Sequence, residues 1–137
     1  MMKNIMGMTL IELLIALMIV GILAALSSAA YFNHVYRARR MDAIQTLYAM
    51  QLAEEHYRSN NAQYGTLAQV WNSVATTSNG YYSLAISNVS ATTYTLTATA
   101  LLSQANDKEN STSCTPLTLT LSAGTTTQSP ASCWLTS

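Results

Sequence analysis

Residues 8–30 read MTLIELLIALMIVGILAALSSAA, and Glu12 is the one charged side chain among them. Folded as a helix at about 1.5 Å per residue, the stretch is about 34 Å long, enough to cross the roughly 30 Å apolar core of a bilayer. Ahead of it lies a short head, Met1 to Gly7, with a single cation at Lys3. Three readings fit such a segment. It can be a secretory signal peptide, for which Ser27-Ser28-Ala29 offers small residues at a cleavage point. It can be a plain membrane anchor, or it can follow a leader that is cut before the apolar stretch. Glu12 separates the three. A carboxylate held at mid-bilayer costs roughly 2.5–3.5 kcal/mol, and an intramembrane acid usually marks a functional partner. Cleavage after Gly7 would create that partner, the α-amino group of Met8, about one helical turn away. A helix N-terminus favours an anion as well, through its dipole and its unpaired N–H groups.

Composition agrees with a chain of two characters. Half of its 137 residues are hydrophobic and 9% are charged, against about 25% charged in an ordinary soluble domain. The apolar excess sits near the N-terminus, and beyond residue 59 the chain is rich in Thr and Ser and nearly free of charge. Formal net charge is zero, so the total implies no acidic or basic partner. Cys114 and Cys133 form an even pair beside an export segment, which predicts a disulfide in an oxidising compartment. Closing a loop of roughly 20 residues would stabilise the fold by about 3 kcal/mol.

From Arg37 to Ser59 the chain has no Gly or Pro and is built from good helix formers. Ala43, Leu47, Met50 and Tyr57 fall on one helical face. One long helix is therefore expected from about Thr9 to Arg58, stopped by Ser59-Asn60-Asn61. Arg37, Arg39 and Arg40 read as a solvated patch, or as inter-subunit ion pairs with Asp42, Glu54 or Glu55. Three arginines fall below the usual lipid-binding cluster. His34 and His56 would lie about 33 Å apart on this helix and cannot share a metal.

Residues 61–80 read as a connecting loop, tucked down by Tyr64, Leu67, Val70 and Trp71. The period then becomes two. Tyr82, Leu84 and Ile86, then Tyr94, Leu96 and Ala98, then Leu117, Leu119 and Leu121 alternate with polar residues. Turns are expected at 88–92, 103–116 and 123–130, with a short last strand over 133–136. The expected fold class is α+β: a long N-terminal helix packed on a three- to four-stranded antiparallel sheet. Asp107 and Glu109 read as exposed, solvated carboxylates in a loop. Trp134 caps the sheet beside the cysteines, or serves as a contact residue. No nucleophile–base set, phosphate loop or metal-spaced His/Cys set is present, so no catalytic residue, metal or cofactor is expected.

Gly7-Met8-Thr9-Leu10-Ile11-Glu12-Leu13 resembles the prepilin peptidase motif of type IV pilins and pseudopilins, and Gly21-Ile22-Leu23-Ala24-Ala25 resembles a segment of the same helix. The resemblance implies cleavage after Gly7, N-methylation of Met8 and retention of Glu12 as the assembly carboxylate. Met8 stands where Phe is usual, and Ala29 where a helix-softening Pro is usual. The head resembles PilE-type minor pilins and their ComP-type DNA-uptake relatives, through Gly80-Tyr81-Tyr82-Ser83-Leu84, Tyr94 to Thr99, Gln104-Ala105-Asn106-Asp107, Cys114 with Leu117-Thr118-Leu119, and Cys133-Trp134. Asp107-Lys108-Glu109-Asn110 departs from it as an insert.

The resemblance implies a type IV pilin fold with residues 1–7 as leader, 8–30 as the transmembrane and fibre-core half of the helix, 31–60 as its amphipathic half and 61–137 as the head. It implies an inner-membrane protein with a periplasm-facing head, displayed on the pilus after assembly. Partners would be other pilin subunits, prepilin peptidase and the inner-membrane assembly machinery. Positive-inside counting, with three arginines after the apolar stretch against Lys3 before it, points to the opposite orientation; the motif outweighs it. The expected function is a minor pilus subunit acting in assembly, and so in twitching, adhesion or DNA uptake. The alternatives are a pilus-displayed DNA receptor and a type II secretion pseudopilin. DNA ranks lower because Lys108, between two acids, is the one basic residue after Ser59.

Overall fold

The computed structural model describes residues 7–134. The rest of the expected leader, with Lys3, and the end of the expected last strand at residues 135–136 lie outside the described residues. Helix α1 runs over Leu10–Asn60, a shift of one or two residues from the expected ends. The chain divides into two units between Val35 and Tyr36.

In the first unit every described side chain from Met8 to Leu26 is exposed, with Leu10 at 84%. The described helix is long and apolar enough to cross a membrane, and none of its apolar window is buried.

The second unit is a layer of helix on a layer of sheet. Arg40, Ala43, Ile44, Leu47, Met50 and Glu54 of α1 are buried on one face. Of the expected face, Ala43, Leu47 and Met50 are buried, and Tyr57 is half-buried. Strands β1 (Tyr82–Ser87), β2 (Thr93–Ala100), β5 (Leu117–Ser122) and β6 (Thr125–Ser129) form one antiparallel sheet in the order β1-β2-β5-β6. Successive strand residues point to opposite faces. Tyr82, Leu84, Tyr94, Leu96, Ala98, Leu117, Leu119 and Leu121 therefore join one core with the helix. The outer face carries hydroxyls in register, as in the row Ser87–Thr95–Thr120–Thr127.

Three details correct the expectations. Thr125–Ser129, expected within a turn, is the edge strand β6. It has no apolar alternation because most of its side chains are exposed, so the period-two signal was never written into it. Ala123 and Gly124 supply the tight turn before it, both at positive φ (47° and 82°). The expected strand from Cys133 is replaced at its start by a 3-10 turn, Ala131–Cys133. The insert at 107–110 is part of a small hairpin, β3 (Lys108–Glu109) with β4 (Thr112–Ser113), turning on Asn110 and Ser111. The segment after α1 also holds a single-turn helix, α2 (Leu67–Val70), and a bridge between Thr76 and Ser83.

Candidate functional site

At the helix start, Thr9 stands three residues before Glu12, the first half of a capping box. Its Oγ1 accepts the Glu12 N–H at 3.3 Å, and its carbonyl accepts the Leu13 N–H at 3.2 Å. Thr9 thus caps the helix start, a role the Thr-x-x-Glu spacing carries in the sequence. Glu12 lies in the first turn, where the dipole favours a carboxylate. Among the described residues that carboxylate has no hydrogen bond or ion pair. Gly7 and Met8 precede it, with Met8 exposed.

In the head, Arg40 is fully buried and clamps Asp107 through two bonds: Nε to Oδ2 at 2.7 Å and Nη2 to Oδ1 at 2.8 Å. Its Nη1 donates to Glu109 Oε2 at 3.2 Å and to the Cys133 carbonyl at 3.3 Å. Arg37 donates to the other oxygen of Glu109. Burial works against the Arg40 charge, but bonds and charges from Asp107 and Glu109 outweigh it, so its pKa lies above the ordinary value. Gln104 Nε2 completes the cluster, donating to the Tyr36 carbonyl at 3.0 Å and to the Tyr82 hydroxyl at 2.9 Å. Burial pushes that tyrosine's pKa up to about 12.

Two expectations fail here. The arginines are not simply a solvated patch: Arg37 and Arg40 pair with Asp107 and Glu109 of their own chain. Asp107 and Glu109 are not free in solvent: Asp107 is buried and Glu109 half-buried. Arg39 lies 4.1 Å over the Tyr81 ring, a cation–π contact. The two halves of the Arg40–Asp107 pair are 67 residues apart, so no local pattern announces it.

The cluster sits against the disulfide. Cys114 and Cys133 are bonded, with Cα atoms 5.5 Å apart. Trp134 follows with 3% exposure; its Nε1 donates to the Ser129 carbonyl at 3.1 Å, and its ring meets Tyr48 edge-on. Arg40 thus ties α1 to the start of the β3–β4 hairpin and to the C-terminal turn.

At the other end of the head, Glu54 is buried; its Oε2 accepts the Gly65 N–H at 2.8 Å and its Oε1 has no partner among the described residues. Burial raises its pKa. Glu55 accepts the hydroxyls of Tyr64 and Tyr94 at 3.2 and 3.4 Å. Arg58 donates to the carbonyls of Asn61 and Ala91. His34 and His56 are exposed, and no three metal-ligating side chains converge among the described residues.

The family model described as "Type IV minor pilin ComP, DNA uptake sequence receptor" matches residues 29–118. The chain belongs to the ComP family of type IV minor pilins. A second model, the prokaryotic N-terminal methylation motif, matches residues 2–28 of this minor pilin. No curated protein matches it. The two matches abut: the motif covers most of the apolar stretch, and the family model runs from residue 29 through the rest of the helix into β5. This minor pilin is thus a type IV pilus subunit, and pilins are structural, non-enzymatic components of a fibre. Its prepilin motif and bare apolar helix fit membrane anchoring before assembly into a surface pilus. Both carboxylates of the Arg40 cluster lie within the matched residues, while β6 and Cys133 lie beyond them.

Proposed function

We propose that this minor pilin acts in pilus assembly, and through it in twitching, adhesion or DNA uptake. Prepilin peptidase cuts after Gly7, and Met8 becomes the methylated N-terminus. Residues 8–30 hold the subunit in the inner membrane with its head in the periplasm. The assembly machinery then draws that helix into the fibre core, where residues 31–60 and the head at 61–137 complete the subunit. The observation that carries this reading is that the apolar residues 8–26 are exposed at every side chain and their one acid, Glu12, lacks a partner among the described residues. A neighbouring subunit's Met8 amine supplies the missing cation, and neighbouring helices supply the apolar cover. Glu12→Ala is expected to be processed normally and to be absent from sheared pili. Its normal incorporation, measured by quantitative mass spectrometry, would defeat the proposal.

The description of the matched family favours a second reading, in which the head also receives DNA. The charge supply argues for a modest electrostatic contribution. Arg40 is sealed in its ion pair and Arg37 is engaged with Glu109, leaving Arg39, Arg58 and Lys108. Three phosphate contacts predict a slope of log K against log salt of about −2.7. Fluorescence anisotropy with duplex DNA and the full chain in detergent measures it. No binding at low salt would remove this reading and leave the assembly role intact.

A further inference from the structure

The run from Met8 to Ala30 holds no aromatic residue, and Tyr31 and Phe32 stand directly after it. Phe32 is the one phenylalanine of the chain. Both rings are exposed, at 66% and 56%, and they meet edge-on with centroids 6.0 Å apart. Asn33 and His34 follow and are exposed as well, so the pair marks the point where apolar residues give way to polar ones. Helix α1 is continuous from Leu10 through this point. Glu12 and Tyr31 are 19 positions apart, hence about 28 Å at helical rise. That is close to the roughly 30 Å of a bilayer core. The apolar run is bracketed by an acid at one end and an aromatic pair at the other.

We propose that Tyr31 and Phe32 seat in the lipid headgroup boundary and set the depth of the helix, so that Glu12 lies at the opposite boundary. This rests on the membrane-anchoring reading and adds a register to it. A tyrosine suits that boundary because its ring is apolar while its hydroxyl bonds water and ester oxygens. The Phe32 ring adds apolar area on the acyl-chain side. Packing between helices gives no reason for aromatic residues to be missing along the whole run and then to appear one bilayer thickness from the acid. The register has a consequence for Glu12. Deep in hydrocarbon its carboxylate would be costly to hold charged. At the boundary it keeps its water and stays open to a cation arriving along the membrane surface.

The full chain in nanodiscs of palmitoyl-oleoyl-phosphatidylcholine provides the test. A water-soluble gadolinium chelate broadens each amide signal that lies near water in nitrogen–proton NMR. The protected stretch should be centred at Gly21 and Ile22, midway between Glu12 and Tyr31. Tyr31→Ala with Phe32→Ala should displace that centre by about one helical turn, or about four residues, because no side chain then prefers the boundary to the core. Tyr31→Trp with Phe32→Trp should hold it in place, since tryptophan favours the same boundary. The indole signals of Trp71 and Trp134 report that the head stays folded in each variant. A protected stretch centred elsewhere in the native chain, or unmoved in the double alanine variant, overturns the proposal and leaves membrane anchoring intact. No protected stretch at all removes the anchoring reading and the register with it. Protection of Tyr31 and Phe32 that rises with the protein-to-lipid ratio assigns the pair to a second copy, and overturns the proposal too.

Discussion

The apolar unit up to Val35 and the head from Tyr36 solve opposite problems with the same helix. From Met8 to Leu26 every described side chain is exposed, and Glu12 has no partner among the described residues. In the head even a guanidinium is sealed from water, and its hydrogen bonds go to side chains and a carbonyl of the same chain. Burying surface without pairing its polar groups is costly, so a folded unit satisfies them internally. A unit that leaves both apolar surface and a carboxylate uncovered is completed by a bilayer or by other copies. The first unit is therefore the one left open to other molecules, and the second is the one stabilised by its own side chains.

Opening the buried Arg40–Asp107 pair should perturb the head most. Arg40→Met leaves Asp107 buried without its cation and should lower head stability by about 3–5 kcal/mol, read as a urea midpoint. Arg40→Met with Asp107→Leu should recover most of the loss. A near-neutral single mutant would mean the head does not depend on its own ion pairs.

Next in size is the disulfide. Cys133→Ser should lower stability by about 3 kcal/mol through loop entropy in the unfolded chain. It should also loosen the C-terminal turn that receives Arg40, so the Arg40→Met penalty should shrink in that background, as a double-mutant cycle would show.

Glu54 gives a smaller effect with a pH signature. Burial raises its folded pKa, so the fold favours the protonated form. The unfolded chain then binds fewer protons between the ordinary carboxylate value, about 4.3, and the raised one. Stability from this group is therefore full below the unfolded pKa and is lost as pH rises through the folded one. Glu54→Gln keeps an oxygen for Gly65 and removes the buried charge. It should raise stability by about 1 kcal/mol at pH 8 and flatten that pH dependence, measured by thermal melts across pH.

Arg37→Ala should have the smallest effect. Its side chain is 50% exposed in the pair with Glu109, and exposed pairs contribute about 0–1 kcal/mol. A loss near that of Arg40→Met would show that the hairpin hangs on both arginines equally.

Legibility followed locality. The apolar run, Glu12 within one turn of Met8, and the alternation in β1, β2 and β5 are patterns of neighbours, governed by helix and strand periods. They sufficed for the α+β layout and the pilin family. β6 was not legible because an edge strand with open faces needs no apolar alternation. Thr9 as the cap of α1 is likewise a local pattern, three residues before Glu12.

Local pattern alone specified an apolar helix followed by a head with a two-period sheet, since both depend on composition repeated over a few residues. Packing alone settled which polar groups meet: Arg40 with Asp107 across 67 residues and Glu54 with Gly65 at the loop, while the Thr77 hydroxyl has no partner among the described residues. Charge says nothing of its partner until packing brings distant segments within about 3 Å and removes the water that would otherwise screen them.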